Sequence, residues 1–296
     1  MSRHGVGGAR EVTSFALDTT LRLGAQRVRV QVRGEGPPLL LLNGVGSPLE
    51  VWQPLVQALH GMQTVAFDAP GSGGSAAPNF PLSIGGHARL ALRLLDALGY
   101  QQVSVLGFSL GGMVAQELAH RARRRVDRLV LASTSVGWGA VPGSPAALLA
   151  ISNPQGYYSR ALFTIAESGD GDGTQHQDGG SDGREDDTFR TGPRQARRPR
   201  SLDSRGHLYQ LWAATTWSSL PWLARIPQPT LVLTGDADDL VPAVNSQILA
   251  NLLPSARLHV VRGGGHLALL QHAAELAPLL TSFLREFPSP TGQDRE

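Results

Sequence analysis

Short apolar runs punctuate this chain, each too short for a buried helix and most of them closed by a glycine-bearing turn. They fall at residues 39–42, 64–67, 103–106, 128–132, 230–234 and 258–261, with an alternating run at 27–32. Between them, apolar residues recur at helical spacing. Leu90, Leu94, Leu95 and Leu98 share a face ahead of Gly99, and Val114, Leu118 and Ala122 share another after Ser109. A strand buried on both sides has no polar face to alternate, so continuous apolar strands between helices require a parallel sheet covered on both faces. Right-handed crossovers then give an α/β fold with a mostly parallel, doubly wound sheet.

The rhythm stops between about residues 137 and 225. Residues 148–151 and 157–166 read as helical, and 209–222 are aromatic and apolar. Between them, about 167–205 is a polar tract, acidic first (Asp170 to Asp187) and basic after (Arg190 to Arg205). With almost no apolar residues it has no burial to offset its ordering entropy, and it is expected to be disordered. The expected organisation is therefore a core of 12–136 and 226–287, a helical lid of 137–225, and flexible termini at 1–11 and 288–296. The basic half of the tract is no argument for nucleic acid, because the adjoining acids cancel most of its field.

Composition narrows the chemistry. There is no cysteine, so disulfides, thiolate metal sites and a cysteine nucleophile are excluded. All 26 basic residues are arginine, which excludes Schiff-base lysine chemistry. The net charge of +2 gives no drive toward nucleic acid. No secretory leader is legible in the first twenty residues, and no apolar run approaches the roughly 20 residues that span a bilayer. The expectation is a cytoplasmic protein without a membrane span.

The most informative local pattern is Gly107-Phe108-Ser109-Leu110-Gly111, directly after one apolar run and directly before a helical period. A sharp strand-to-helix turn holds such a serine above the sheet edge. The flanking glycines remove side chains that would collide, and the helix start aims its amides at a developing oxyanion.

A serine hydroxyl is a weak nucleophile and needs a base held by a third group, in the chain order Ser, acid, His. After the run at 230–234, Asp236, Asp238 and Asp239 compete for the acid; Asp238, at the tip of the turn before Pro242, is favoured. The base is His266, which follows Gly263-Gly264-Gly265 in what reads as a mobile turn. His259 falls within a strand and His272 within the final helix. The loop Asn43-Gly44-Val45-Gly46 supplies the other half of an oxyanion hole, with the Val45 amide as one donor and that of Leu110 as the other. Asn43 is read as holding this loop beside the substrate, and Asp68 as fixing the amides of the turn that follows it. No metal and no cofactor is called for.

These residues resemble the α/β-hydrolase superfamily over about 26–287, outside the polar tract. Within it they most resemble the intracellular depolymerases of medium-chain-length polyhydroxyalkanoates. The likeness is carried by Leu41-Leu42-Asn43-Gly44-Val45-Gly46 with Leu49-Glu50, by the stretch from Phe67 to Ser75, by Tyr209-Gln210-Leu211-Trp212 with the stretch from Trp217 to Trp222, and by residues 229–242. The resemblance implies a serine hydrolase cleaving 3-hydroxyacyl esters, with Ser109, Asp238 and His266 as its triad. It also implies a small ester or hydrophobic polyester as substrate, with polyester granules as a place of work. Two features depart from it: Leu110 stands where tryptophan is expected, and the polar tract interrupts the lid. A general carboxylesterase, a lactonase, a cofactor-free haloperoxidase or perhydrolase, and a non-catalytic binding protein are the alternatives on the same scaffold.

Four of the five tryptophans, Trp138, Trp212, Trp217 and Trp222, fall in the insertion. They are candidates for lining an acyl site. The same rings serve equally to pack the insertion's own core.

Overall fold

The computed structural model describes residues 16–152 and 204–286. Its strands are β1 (Ala16–Leu23), β2 (Gln26–Arg33), β3 (Pro38–Leu42), β4 (Gln63–Phe67), β5 (Val103–Phe108), β6 (Val126–Ala132), β7 (Thr230–Gly235) and β8 (Ala256–Val261). They form one sheet of 8 strands in the order β1-β2-β4-β3-β5-β6-β7-β8. Pairings from β4 across to β8 are parallel, and β2 joins β1 and β4 antiparallel. The apolar runs thus become the parallel strands, and the family of fold expected from them is the one observed.

The sequence reading assigns no strand before residue 27, and β1 is the addition. Leu17, Thr19, Leu21 and Leu23 face inward or half inward while Asp18, Thr20 and Arg22 are exposed. That alternation marks an edge strand wetted on one face, which a search for continuous apolar runs passes over. Gly24 (φ +66) and Ala25 close the hairpin to β2 in two residues.

The helices are α1 (Gln53–Ala58), α2 (Ile84–Ala97), α3 (Leu110–Arg121), α4 (Pro145–Ser152), α5 (Ser204–Thr215), α6 (Ala243–Leu252), α7 (Ala268–Gln271) and α8 (Ala273–Arg285). Strand alternation sorts the core into two layers. Leu40, Leu42, Val105 and Leu131 join Leu94 of α2, Leu118 of α3 and Leu249 of α6 on one face. Leu39, Leu41, Leu106 and Val130 join Leu55 of α1 and Leu276, Leu280 and Phe283 of α8 on the other. His272, read as part of a continuous final helix, instead sits at the break between α7 and α8.

Between β6 and β7 the described residues hold helices α4 and α5. The helical expectation at 157–166 and nearly all of the polar tract 167–205 lie outside the described residues, as do residues 1–15 and 287–296. Only the last two residues of the tract, Ser204 and Arg205, are described, and they open α5. Among the described residues, no helix is long and apolar enough to cross a membrane.

The turn after β5 leaves no room for side chains. A Cβ on Gly111 would lie 1.9 Å from the Leu42 carbonyl oxygen, whereas one on Gly99 (φ +78) would meet nothing within 4 Å. Gly111→Ala should therefore cost well over the roughly 1–2 kcal/mol that a left-handed backbone alone costs at Gly99→Ala. Urea unfolding of the two variants measures this, and equal losses would contradict it.

Candidate active site

Ser109 follows β5 at φ 53 and ψ −118, a positive-φ conformation that side chains rarely adopt. Such strain costs of order 1–3 kcal/mol and persists only where the surroundings enforce it. Here the Ser109 amide donates to the Ala132 carbonyl at 2.9 Å. The Ser109 carbonyl accepts from the Thr134 hydroxyl at 2.7 Å and from the Gly112 amide at 2.9 Å. Gly107, Gly111 and Gly112 press backbone and Thr134 against this turn so closely that none has space for a Cβ.

The acid and the histidine come from the ends of the last two strands. Asp238, buried after β7, places Oδ2 2.9 Å from Nδ1 of His266. Its Oδ1 accepts from the Leu240 amide at 3.0 Å and the Val241 amide at 2.8 Å. Those two amides fix the carboxylate in position, and the carboxylate in turn fixes the ring and its tautomer. The competing acids do other work. Asp236 is exposed and accepts from the Gly263 amide at 2.6 Å, and Asp239 is exposed.

The turn carrying His266 is tied down, which corrects the expectation of a mobile one. The Ala237 amide donates to the Gly264 carbonyl at 2.9 Å and the Asp236 amide to the Val261 carbonyl at 3.1 Å. A Cβ on Gly235 would lie 1.9 Å from the Gly264 oxygen, so β7 and the glycine turn are in backbone contact. His259 remains on β8 and half-buried.

An aromatic floor joins the parts. The Phe108 ring, next to Ser109 in sequence, lies 5.1 Å from the His266 ring and 6.4 Å from Trp52, edge-on. The Trp52 indole N–H donates to Asn43 Oδ1, while Asn43 Nδ2 donates to the Ser47 carbonyl at 3.0 Å. Each end of the Asn43 amide thereby has a partner, and Asn43 ties the loop to Trp52. Gly44 sits where a Cβ would be 3.4 Å from Ser109 Cβ, which brings the loop bearing Val45 against the serine. Leu110 opens α3, so its amide has no acceptor within the helix.

The insertion's tryptophans divide. The Trp217 N–H donates to Glu117 Oε2 at 2.9 Å, and Trp222 stacks on His120 at 4.3 Å. Glu117 and His120 lie two to three turns along α3, about 12 Å or more from Ser109 at 1.5 Å per residue. These two rings fasten the insertion to α3 rather than line a site at its start. Trp138 and Trp212 are 76% and 46% exposed. Sequence reasoning missed Gln210, whose buried amide reaches the Val45 loop at Gly46, and Trp52 as floor; the one signal was their place in otherwise apolar stretches. Among the described residues no cluster of three or more His, Asp or Glu gathers as a metal site.

Asp68 behaves as the sequence suggests. It is buried, accepts from the Leu49 and Gly74 amides at 2.7 Å each, and lies 4.0 Å from the Arg29 guanidinium. Burial dominates over these partners and pushes its carboxyl up to about 6.

A model of the alpha/beta hydrolase fold matches residues 37–273. The chain is 39% identical over 276 residues to a poly(3-hydroxyalkanoate) depolymerase of Ectopseudomonas oleovorans, covering 90% of this chain and 92% of that one. It is 29% identical to a 2-hydroxymuconate semialdehyde hydrolase of Pseudomonas putida, covering 88% and 91%. The enol-lactonase of Burkholderia xenovorans LB400 superposes with a TM-score of 0.70 at 21% identity, covering 90% of this chain and 100% of that one, a likeness of fold.

The raised Asp68 carboxyl has a pH signature. Between the unfolded value of about 3.9 and about 6, the native state holds a proton that the unfolded state has released. Its contribution to stability is therefore full below pH 4 and declines as pH rises to 6. The stability difference between wild type and Asp68→Asn, measured by denaturant titration, should fall over that interval; a difference independent of pH would contradict it.

Proposed function

The chain belongs to the α/β-hydrolase fold family, and from that premise we propose that it is a serine hydrolase of carboxylic esters, acting on 3-hydroxyalkanoate polyester or oligoester. The observation that carries the reading is the Asp238–His266 hydrogen bond, with the His266 ring 5.1 Å from the ring of Phe108, the residue before the strained serine. In this mechanism His266 accepts the Ser109 proton as the hydroxyl attacks the ester carbonyl. The Val45 and Leu110 amides stabilise the tetrahedral oxyanion, each such donor being worth about 3 kcal/mol. His266 then protonates the departing alcohol as the carbon–oxygen bond breaks and the acyl-enzyme forms. Asp238 holds the imidazole in the required tautomer and stabilises its charged form. Water, deprotonated by His266, then attacks the acyl carbonyl; as the bond from Ser109 Oγ to the acyl carbon breaks, His266 returns the proton to Ser109 and the carboxylic acid leaves.

Two features support an apolar substrate. The depolymerase is the relative with the higher identity of the two given above. The insertion also exposes Trp138, Leu149, Leu208 and Trp212, a surface suited to a water-insoluble polyester. In this reading residues 137–225 form a cap on a core of 12–136 and 226–287, and the enzyme works in the cytoplasm at polyester granules. Lactones and short esters are the alternative substrates of the same machinery.

Ser109→Ala should abolish p-nitrophenyl octanoate hydrolysis with an unchanged melting curve. Asp238→Asn should lower kcat roughly 10³- to 10⁴-fold through the wrong imidazole tautomer. Retained turnover in Ser109→Ala would refute the mechanism. Clearing of medium-chain but not short-chain polyester suspensions supports the substrate assignment, and the reverse would move it to short esters.

A further inference from the structure

The loop Gly44–Ser47 is a tight turn in which the Ser47 amide donates to the Gly44 carbonyl at 3.3 Å and Gly46 has φ +65. A positive φ at the second central residue leaves the peptide between Val45 and Gly46 as the part of the turn free to flip. That peptide is held from outside the loop. The Gly46 amide donates to Gln210 Oε1 at 2.7 Å, across 164 residues of sequence.

Gln210 is buried on α5, and its other end is equally committed. Nε2 donates to the Pro70 carbonyl at 3.1 Å and to the Ser72 hydroxyl at 3.0 Å. With two acceptors at one end and an N–H at the other, the amide has one satisfied orientation, since a flipped one would set NH₂ against the Gly46 N–H. One turn earlier on the same face, Gly206 meets Gly71. A Cβ on either would lie 2.4 Å from the other's Cα. This glycine–glycine contact brings α5 close enough for Gln210 to reach the loop.

We propose that Gln210 is a positioning residue for the oxyanion loop: docking of the inserted helix, through this one amide, sets the orientation of the turn that carries the Val45 N–H. This rests on the serine-hydrolase reading. Without the Gln210 carbonyl, the buried Gly46 amide has lost its acceptor and the turn has a second conformation open to it. The flip re-aims the Val45 carbonyl and the Gly46 N–H, and through the change at Val45 ψ it shifts the adjoining Gly44–Val45 peptide, whose Val45 N–H is then displaced from the tetrahedral oxygen. The ground-state ester, which depends far less on that donor, binds as before.

The test compares Gln210→Met, close in shape but without an acceptor, with Gln210→Glu, which keeps an acceptor for Gly46. Melting curves of both are recorded beside kcat and KM for p-nitrophenyl octanoate and the inhibition constant of octylboronic acid, which forms a tetrahedral adduct on a serine. For Gln210→Met, kcat should fall roughly 10- to 100-fold, less than the full loss of a donor, with KM within about twofold. Boronate affinity should weaken in parallel. Gln210→Glu should stay within about fivefold of wild type. Wild-type kcat and boronate affinity in Gln210→Met would overturn the proposal. So would a folded Gln210→Glu whose kcat falls well beyond about fivefold, an outcome that decides the matter even if Gln210→Met does not fold. Wild-type turnover that survives Ser109→Ala would remove the underlying mechanism instead, a result separable from either.

Discussion

A serine at φ 53, one residue from the end of a fully buried strand, is the constraint around which the rest is arranged. The conformation is costly, so its neighbours must leave no relaxed alternative. Gly107, Gly111 and Gly112 provide that by pressing β3, α3 and Thr134 against the turn. The parallel sheet does the remainder. β5, β7 and β8 run in one direction, so the residues following each emerge at the same edge. The serine, the carboxylate and the imidazole therefore follow strands that end at one edge of the sheet, although the chain separates them widely.

Most of this was legible in the sequence because it depends on local rules. Buried parallel strands have to read as apolar runs, and the elbow has to read as glycine around serine. Asp238 was separable from Asp236 and Asp239 only weakly by position. The structure separates them by burial and by the two amides at Leu240 and Val241. β1 was missed because an edge strand shows alternation rather than a run. The rigidity of the His266 turn was missed because three glycines suggest freedom, while here they permit backbone contact with Gly235.

The insertion was the least legible part, since its residues act through partners distant in sequence. Trp217 and Trp222 were grouped with Trp138 and Trp212 as rings of one kind. Their partners Glu117 and His120 on α3 make the first pair fasteners. A second fastening joins the insertion to the acid loop. Asn245 exchanges hydrogen bonds with the Val141 backbone at 2.9 Å each, and the Ser144 amide donates to the Asp239 carbonyl at 2.8 Å. With Gln210 at the Gly46 amide, the inserted segment contacts both the loop after β3 and the turn after β7. The aromatic and apolar composition of residues 209–222 alone names none of these partners.

The central claim is that one hydroxyl, activated by one imidazole, does the chemistry. Reaction with an alkyl fluorophosphonate, followed by peptide mass mapping, tests it directly. The account predicts a single adduct on Ser109 in the wild-type protein, with the labelling rate strongly reduced in His266→Ala. Adducts spread over several serines, or labelling of Ser109 that is indifferent to His266, would contradict it.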